Sequence, residues 1–218
     1  MTQATTVFVV DDDPDIRESL RELLGSVDLP VRSYSSAPAF LEAYDPAAAG
    51  CLVVDVRMPG MSGLDLQDKI RELGGTLPII HITGHGDVPM AVQSLKNGAF
   101  DFLEKPFRGQ DLIDCIHQAL SLDEKTRNSR LIRVDIVERL ETLTPRERQI
   151  VDLIVSGMTT KQIAAQLKVS TQAIDAHRGK AMKKLAVSSV AELARLLYAA
   201  EPERLLDIRE DNVNSIAT

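Results

Sequence analysis

Short apolar runs alternate with longer amphipathic stretches through the first half of the chain. The apolar runs predict strands at 7–10, 30–34, 51–55, 78–83 and 100–103, and the amphipathic stretches predict helices near 14–26, 37–44, 64–73 and 88–97 and from about 108. Runs this apolar are typical of parallel strands buried on both faces, and parallel neighbours need helical crossovers. The pattern therefore predicts an α/β domain with a flavodoxin-like, doubly wound, five-stranded parallel sheet.

The second half of the chain shows only helical periodicity. Helices are predicted near 145–155, 160–167, 171–185 and 189–199. Thr144 followed by Pro145, with Glu147 three residues after Thr144, is typical of a capped helix start. We therefore expect an all-α carboxy-terminal domain of four helices.

The segment 123–141, between the two halves, carries charges of both signs and neither Pro nor Gly. This composition favours a helical connector over a flexible linker, and a short dimeric coiled coil stays open as an alternative. The expected organisation is a first domain at 1–122, a linker at 123–141, a second domain at 142–200 and a frayed polar tail at 201–218.

Charge divides the chain in the same way. Residues 1–122 hold 9 Lys and Arg against 18 Asp and Glu, whereas residues 142–200 hold 9 against 4. The basic second domain suggests nucleic acid as its partner, although a solvated surface gives the same composition. Neither a bilayer-spanning segment nor a secretory signal is recognisable, so we expect a cytoplasmic protein with no membrane partner. Cys51 and Cys115 lack motif partners and are expected as buried, reduced thiols.

Polar residues end four of the predicted strands. Asp11 and Asp12 follow the first strand, Asp55 ends the third, Thr83 ends the fourth and Lys105 follows the fifth. The carboxyl ends of parallel strands meet at one edge, where open α/β sheets bind ligands. Asp55 is placed as a nucleophile that attacks phosphorus, and Asp11 and Asp12 as ligands of Mg²⁺. Lys105 and Thr83 would contact the phosphoryl oxygens.

Four segments of the first domain together resemble the receiver domain of two-component response regulators. They are VVDDDPDIRESL, VVDVRMPGMSG, the segment 80–92 with its ITGHGDVPMAV, and GAFDFLEKPF, and the similarity covers residues 5 to about 122. GHGDVPMAV and EKPF are especially similar to the FixJ-like branch of this family. The resemblance implies that Asp55 accepts a phosphoryl group from a sensor histidine kinase.

The same resemblance implies the roles of the neighbouring residues. Asp12, Asp55 and the carbonyl of Arg57 would bind Mg²⁺ or Mn²⁺, and Asp11 would help largely through water. Thr83 and Lys105 would bind the phosphoryl group. Phe102 would turn inward on activation, and its lack of a hydroxyl excludes a phenolic switch. Because Arg57 stands where aspartyl phosphatases carry a second Asp, we expect slow self-dephosphorylation but no enzyme acting on an external substrate.

The segment LTPRERQIVDLIVSGMTTKQIAAQLKVSTQAIDAHRGKAMKKL resembles a LuxR-type helix-turn-helix domain, with Ser170 as the N-cap of its recognition helix. Cations on this helix can neutralise DNA phosphates. Ala176 and Gly179 offer little side chain for reading base edges. Gln172, Asp175 or DNA shape would therefore contribute more to sequence specificity. The residues expected at the DNA are Lys161, Ser170, Gln172, Asp175, His177, Arg178, Lys180, Lys183 and Lys184.

Together the two resemblances predict a response regulator that binds promoter DNA. Phosphorylation would pair two receivers into a homodimer, position two recognition helices on adjacent half-sites and, with RNA polymerase as a further partner, activate transcription. One alternative stays open: a phospho-responsive interaction module that controls a partner protein without binding DNA.

Overall fold

A computed structural model describes residues 5–84 and 88–201, without the side chains of 88–91. Residues 85–87 of the GHGDVPMAV segment and residues 202–218 of the predicted tail lie outside this description. The chain divides into two compact units, 1–128 and 129–218. No helix of the described residues is long and apolar enough to cross a membrane.

The first unit contains the predicted parallel sheet. Its strands are β1 (Thr6–Val10), β2 (Val31–Tyr34), β3 (Gly50–Asp55), β4 (Ile79–Thr83) and β5 (Asp101–Glu104). They lie in the order β2-β1-β3-β4-β5, and every neighbouring pair is parallel. The helices are α1 (Pro14–Gly25), α2 (Ala37–Ala43), α3 (Gly63–Glu72), α4 (Val88–Lys96) and α5 (Gly109–Glu141). The flavodoxin-like prediction is confirmed.

Both faces of the sheet are buried at its central strands β1, β3 and β4, which explains their continuous apolar runs. Val7 and Val9 of β1 pack in one cluster with residues of α1 and α5, whereas Phe8 and Val10 pack in another with residues of α2 and α3. Successive side chains of a strand point to opposite faces, so an apolar residue is needed at every position. Cys51 and Cys115 are buried and free, as predicted.

Helix α5 continues well past the receiver-like sequence, so the segment 123–141 is helical. The buried Asp123 carboxylate accepts hydrogen bonds from Gly50 N (3.0 Å) and Arg127 Nε (2.7 Å), which ties this part of α5 to the start of β3. Further along, Ile136 is buried while Leu131 is 68% exposed. The expected boundary at residue 122 stays a prediction.

The second unit is a small helical domain around one apolar core. Its helices are the end of α5, α6 (Pro145–Val155), α7 (Thr160–Leu167), α8 (Thr171–Lys184) and α9 (Val190–Ala200). Thr144 caps α6 in a reciprocal capping box with Glu147, as its sequence predicts. Ser170 Oγ accepts a hydrogen bond from Ala173 N (3.2 Å) and caps α8. The core residues include Ile150, Ile163, Ile174, Leu185 and Leu193.

Candidate functional site

Three of the predicted strand-end residues form one cluster at the carboxyl edge of the sheet. The ammonium of Lys105 lies 2.6 Å from Asp55 Oδ1 and 3.2 Å from Asp11 Oδ2. The two aspartate side chains are only 3% (Asp11) and 11% (Asp55) exposed. One lysine therefore balances two nearly buried carboxylates that are far apart in the sequence.

The remaining oxygens of both carboxylates accept hydrogen bonds from nearby backbone. Asp13 N donates to Asp11 Oδ1 (2.9 Å), and Arg57 N donates to Asp55 Oδ2 (2.7 Å). Burial raises the pKa of Asp11, although the hydrogen bond from Asp13 and the charge of Lys105 oppose this. Burial also disfavours the charged lysine, but the two aspartates outweigh it and raise the pKa of Lys105. The ammonium is therefore held in its charged form.

Thr83 and Phe102 lie on the two strands beside this cluster. Thr83 is buried at the end of β4, and its carbonyl accepts a hydrogen bond from Lys105 N (2.8 Å). Asp55 pairs with Ile82, so Thr83 stands one residue beyond Asp55 along the neighbouring strand. Phe102 is partly buried on β5, where it pairs with His81 of β4. Thr83 and Phe102 therefore share one face of the sheet with His81.

Helix α3 starts directly against the backbone of Asp55. A Cβ on Gly63, its first residue, would lie 2.4 Å from the carbonyl oxygen of Asp55, so only glycine fits there. Ser62 caps the helix and exchanges hydrogen bonds with Asp65. This contact was not predicted, although the pair Ser62 and Gly63 before an amphipathic run was an available signal in the sequence.

The cluster can provide part of a magnesium site. Asp12 is exposed, and within residues 5–84 and 88–201 no group of three or more His, Cys, Asp or Glu is placed to hold a metal. Mg²⁺ needs only one or two carboxylates, because waters and phosphate oxygens complete its octahedron. The buried pair Asp11 and Asp55 fits that requirement. The roles of Asp12 and of the Arg57 carbonyl stay predictions.

The exposed side of α8 carries most of the residues expected at DNA. Ile174, Ala181 and Leu185 are buried in the core, whereas the exposed residues on α8 include Gln172, Asp175, Lys180 and Lys183. Ser170 and Lys161 are exposed near the start of α8 and of α7, and His177 and Arg178 are half-buried. In the part of the chain that the structure describes, Lys161, Arg178, Lys180 and Lys183 form no ion pair. Their charges are available to an anionic partner.

Lys184, which is also predicted to contact DNA, has two partners within the chain. Its ammonium donates to Glu147 Oε2 (2.6 Å) and to the carbonyl of Thr142 (2.9 Å). The Glu147 side chain is only 4% exposed. Hydrogen bonds from Lys184 and from Thr144 N lower the pKa of Glu147 to about 2. The charge of Lys184 therefore stabilises the junction between α6 and the end of α8, and we expect it to serve this junction and not the DNA.

Comparisons with known proteins agree with both halves of this picture. The response regulator receiver domain family matches residues 7–117, and the luxR family of bacterial regulatory proteins matches residues 141–197. Response regulator protein TmoT of Ectopseudomonas mendocina is 43% identical over 94% of this chain and 91% of its own length. Transcriptional regulatory protein FixJ of Bradyrhizobium diazoefficiens is 40% identical over 92% of this chain and 98% of its own.

Among solved structures, the low-resolution structure of response regulator StyR covers 89% of this chain and 98% of its own, with a TM-score of 0.80 and 43% identity. The described helices and sheet are thus shared with a response regulator over nearly the full length. The chain therefore belongs to the response regulators that join a receiver domain to a LuxR-type DNA-binding domain, and it is a regulator of transcription.

Proposed function

We propose that Asp55 accepts a phosphoryl group from a sensor histidine kinase and that the phosphorylated chain dimerises, binds promoter DNA and activates transcription. The observation that carries the proposal is the cluster of Asp11, Lys105 and Asp55 at the carboxyl edge of the sheet. Buried carboxylates are costly unless a cation compensates their charge. Lys105 supplies that cation beside Asp55, so the site suits chemistry that adds the negative oxygens of a phosphoryl group.

The reaction is a phosphoryl transfer between two nucleophiles. A carboxylate oxygen of Asp55 forms an O–P bond while the N–P bond to the kinase histidine breaks, so the histidine nitrogen takes the electron pair. Lys105, already 2.6 Å from Asp55 Oδ1, pairs with the transferred oxygens as a point charge. Thr83 donates its hydroxyl hydrogen to one of them.

A Mg²⁺ or Mn²⁺ ion bound by Asp11, Asp12, Asp55 and the Arg57 carbonyl would supply the charge that offsets the phosphoryl oxygens. Arg57 leaves no second aspartate to act as a general acid. We therefore infer slow loss of the phosphoryl group to water and no turnover of an external substrate.

The signal leaves the site through Thr83 and Phe102. Both share a sheet face with His81, which is linked through Gln67 to the end of α4. Rearrangement around the phosphoryl group would therefore reach the surface formed by α4, β5 and α5. Pairing of two receivers through that surface brings two recognition helices to adjacent half-sites. RNA polymerase at the same promoter is the inferred downstream partner, and the cytoplasm is the inferred location.

DNA recognition is assigned to the exposed side of α8 and the start of α7. Lys161, Arg178, Lys180 and Lys183 contact phosphates, and Ser170 and His177 lie at the edge of this surface. Gln172 and Asp175 carry the base readout together with DNA shape. These four cations form no ion pair among the described residues, and this supports the assignment.

Affinity for DNA, measured on the full-length chain, tests the proposal. Wild type and Asp55→Asn are each titrated against DNA fragments selected from a genomic pool, with and without acetyl phosphate and Mg²⁺. We expect the phosphodonor to tighten wild-type binding at least about tenfold, which is a typical coupling between two sites, and to leave Asp55→Asn unchanged. Equal wild-type affinities in both states would contradict the proposal.

Two further outcomes are informative in the same experiment. A chain that sediments as a monomer with and without beryllofluoride would remove dimerisation from the mechanism. Failure to bind DNA in either state would favour the interaction module that controls a partner protein.

A further inference from the structure

A buried polar network connects α3, β4 and the end of α4. His81, in the middle of β4, is fully buried, and Gln67 of α3 is 2% exposed. His81 Nε2 lies 2.7 Å from Gln67 Oε1. The amide nitrogen of Gln67 donates to the carbonyls of Asn97 (2.9 Å) and Ser94 (3.4 Å). None of these contacts belongs to the proposed phosphorylation site.

The chemistry of the partners determines the direction of every hydrogen bond. Backbone carbonyls can only accept, so the Gln67 amide nitrogen must face Asn97 and Ser94, and its oxygen must face His81. His81 therefore donates from Nε2. Among the residues that the structure describes, its other nitrogen, Nδ1, has no hydrogen-bond partner. Burial lowers the pKa of His81 to about 4. At neutral pH the ring is thus an uncharged donor with one defined tautomer.

The network holds the last turn of α4. Helix α4 ends at Lys96, and Gly98 then reverses the chain in a left-handed conformation, with φ of 80°. Carbonyls at the end of a helix lack intrahelical donors, and Gln67 supplies one from α3. Arg71, one turn further along α3, also reaches this point, because its Nη2 lies 2.7 Å from the position of a Cβ on Gly98. Two side chains of α3 therefore contact the same turn.

His81 also neighbours the proposed switch residues Thr83 and Phe102 in the sheet. It precedes Thr83 by two positions on β4, so both side chains point to the same face, and it pairs with Phe102 on β5. We propose that Gln67 and His81 are positioning residues that hold the carboxyl end of α4 against the sheet, so that the rest of α4 moves about this end when Asp55 is phosphorylated. The inference rests on the proposed role of Asp55.

A matched set of variants isolates the hydrogen bond from the packing. His81→Met removes the donor but retains a long apolar side chain, whereas His81→Gln retains an N–H that can reach Gln67. Gln67→Met removes the amide at the other end. Each full-length chain is treated with beryllofluoride and Mg²⁺, and amide hydrogen exchange is followed in peptides that cover residues 94–99, with sedimentation in parallel.

In the wild type, we expect these amides to stay protected with and without beryllofluoride. His81→Met and Gln67→Met should exchange there about tenfold faster, the equivalent of one lost buried hydrogen bond, and should lose most of the gain in dimer affinity that beryllofluoride produces. His81→Gln should restore both. A general loss of stability would not be rescued in this selective way.

Two results would overturn the inference. One is that both Met variants exchange the amides at 94–99 at the wild-type rate and gain as much dimer affinity from beryllofluoride as the wild type does. The other is loss of protection at 94–99 when the wild type binds beryllofluoride, which is measurable even if the variants do not fold. If acetyl phosphate adds nothing to Asp55, the proposed function fails instead, and the exchange comparison in untreated chains still tests whether His81 and Gln67 hold the helix end.

Discussion

Two adjacent lysines at the end of the recognition helix should have opposite roles. The Lys184 ammonium lies 2.6 Å from Glu147 Oε2 and 2.9 Å from the Thr142 carbonyl. Lys183 is exposed and forms no ion pair among the described residues. Replacing each by methionine retains the length and the helix propensity of the side chain and removes only the charge.

The structure gives the size of the expected effect. A hydrogen bond to a charged group contributes roughly 1.5–3 kcal/mol, and its loss leaves the nearly buried Glu147 without a cation. The Lys184 side chain is 35% exposed, so water replaces part of the interaction. We therefore expect Lys184→Met to lower the free energy of unfolding of the helical unit by about 1–3 kcal/mol, and Lys183→Met to change it by less than about 0.5 kcal/mol.

Calorimetry on the full-length chain, which can resolve a separate transition for the second unit, measures these stabilities. The salt dependence of DNA binding gives the complementary readout. Each phosphate contact contributes about 0.9 to the slope of log K against log salt, so Lys183→Met should flatten the slope and Lys184→Met should retain it. A flatter slope with unchanged stability in Lys184→Met would refute the reasoning and return that lysine to the DNA.

Three further predictions concern single sites. Gly179 lies in the exposed middle of α8 with open space around its Cβ position. Gly179→Ala should therefore stabilise the helix by up to about 1 kcal/mol but weaken DNA binding, because the added methyl group would lie where α8 approaches the DNA. Unchanged affinity in a DNA titration would contradict this close approach. Gly63→Ala should lower the free energy of unfolding in urea by about 1–3 kcal/mol and slow the phosphorylation of Asp55, because its Cβ would overlap the Asp55 carbonyl. Wild-type stability and a wild-type rate of phosphorylation would contradict the tight contact. Burial lowers the pKa of His81 from 6.5 to about 4 on folding, so the unfolded chain binds a proton at a higher pH than the folded chain does. The free energy of unfolding should therefore fall by up to about 3 kcal/mol as the pH drops from 6.5 to 4. His81→Gln should flatten that part of the stability profile.

Much of this architecture follows from local patterns. The apolar runs that form β1, β3 and β4 are buried on both sheet faces. The caps at Thr144 and Ser170 depend on neighbouring residues only. The meeting of Asp11, Asp55 and Lys105 follows from the same reasoning, because parallel strands end at one edge.

Pairwise contacts across the fold were not predictable in this way. Lys184 resembles its exposed neighbours in sequence, and its partner Glu147 lies 37 positions away. His81 interrupts an apolar strand and Gln67 lies between apolar helix positions, yet no local pattern links the two. A helical connector at 123–141 was predicted, but neither its continuity with α5 nor the buried Asp123 that holds it to β3 was.

The identity of the phosphorylated residue tests the central claim most directly. The full-length chain is incubated with acetyl phosphate and Mg²⁺, and its intact mass and peptide map are recorded beside those of Asp55→Asn and of a sample with the metal chelated. We expect wild type to gain the mass of one HPO₃ on Asp55, and neither control to gain it. No gain in mass, or a phosphoryl group on a different side chain, would contradict the account.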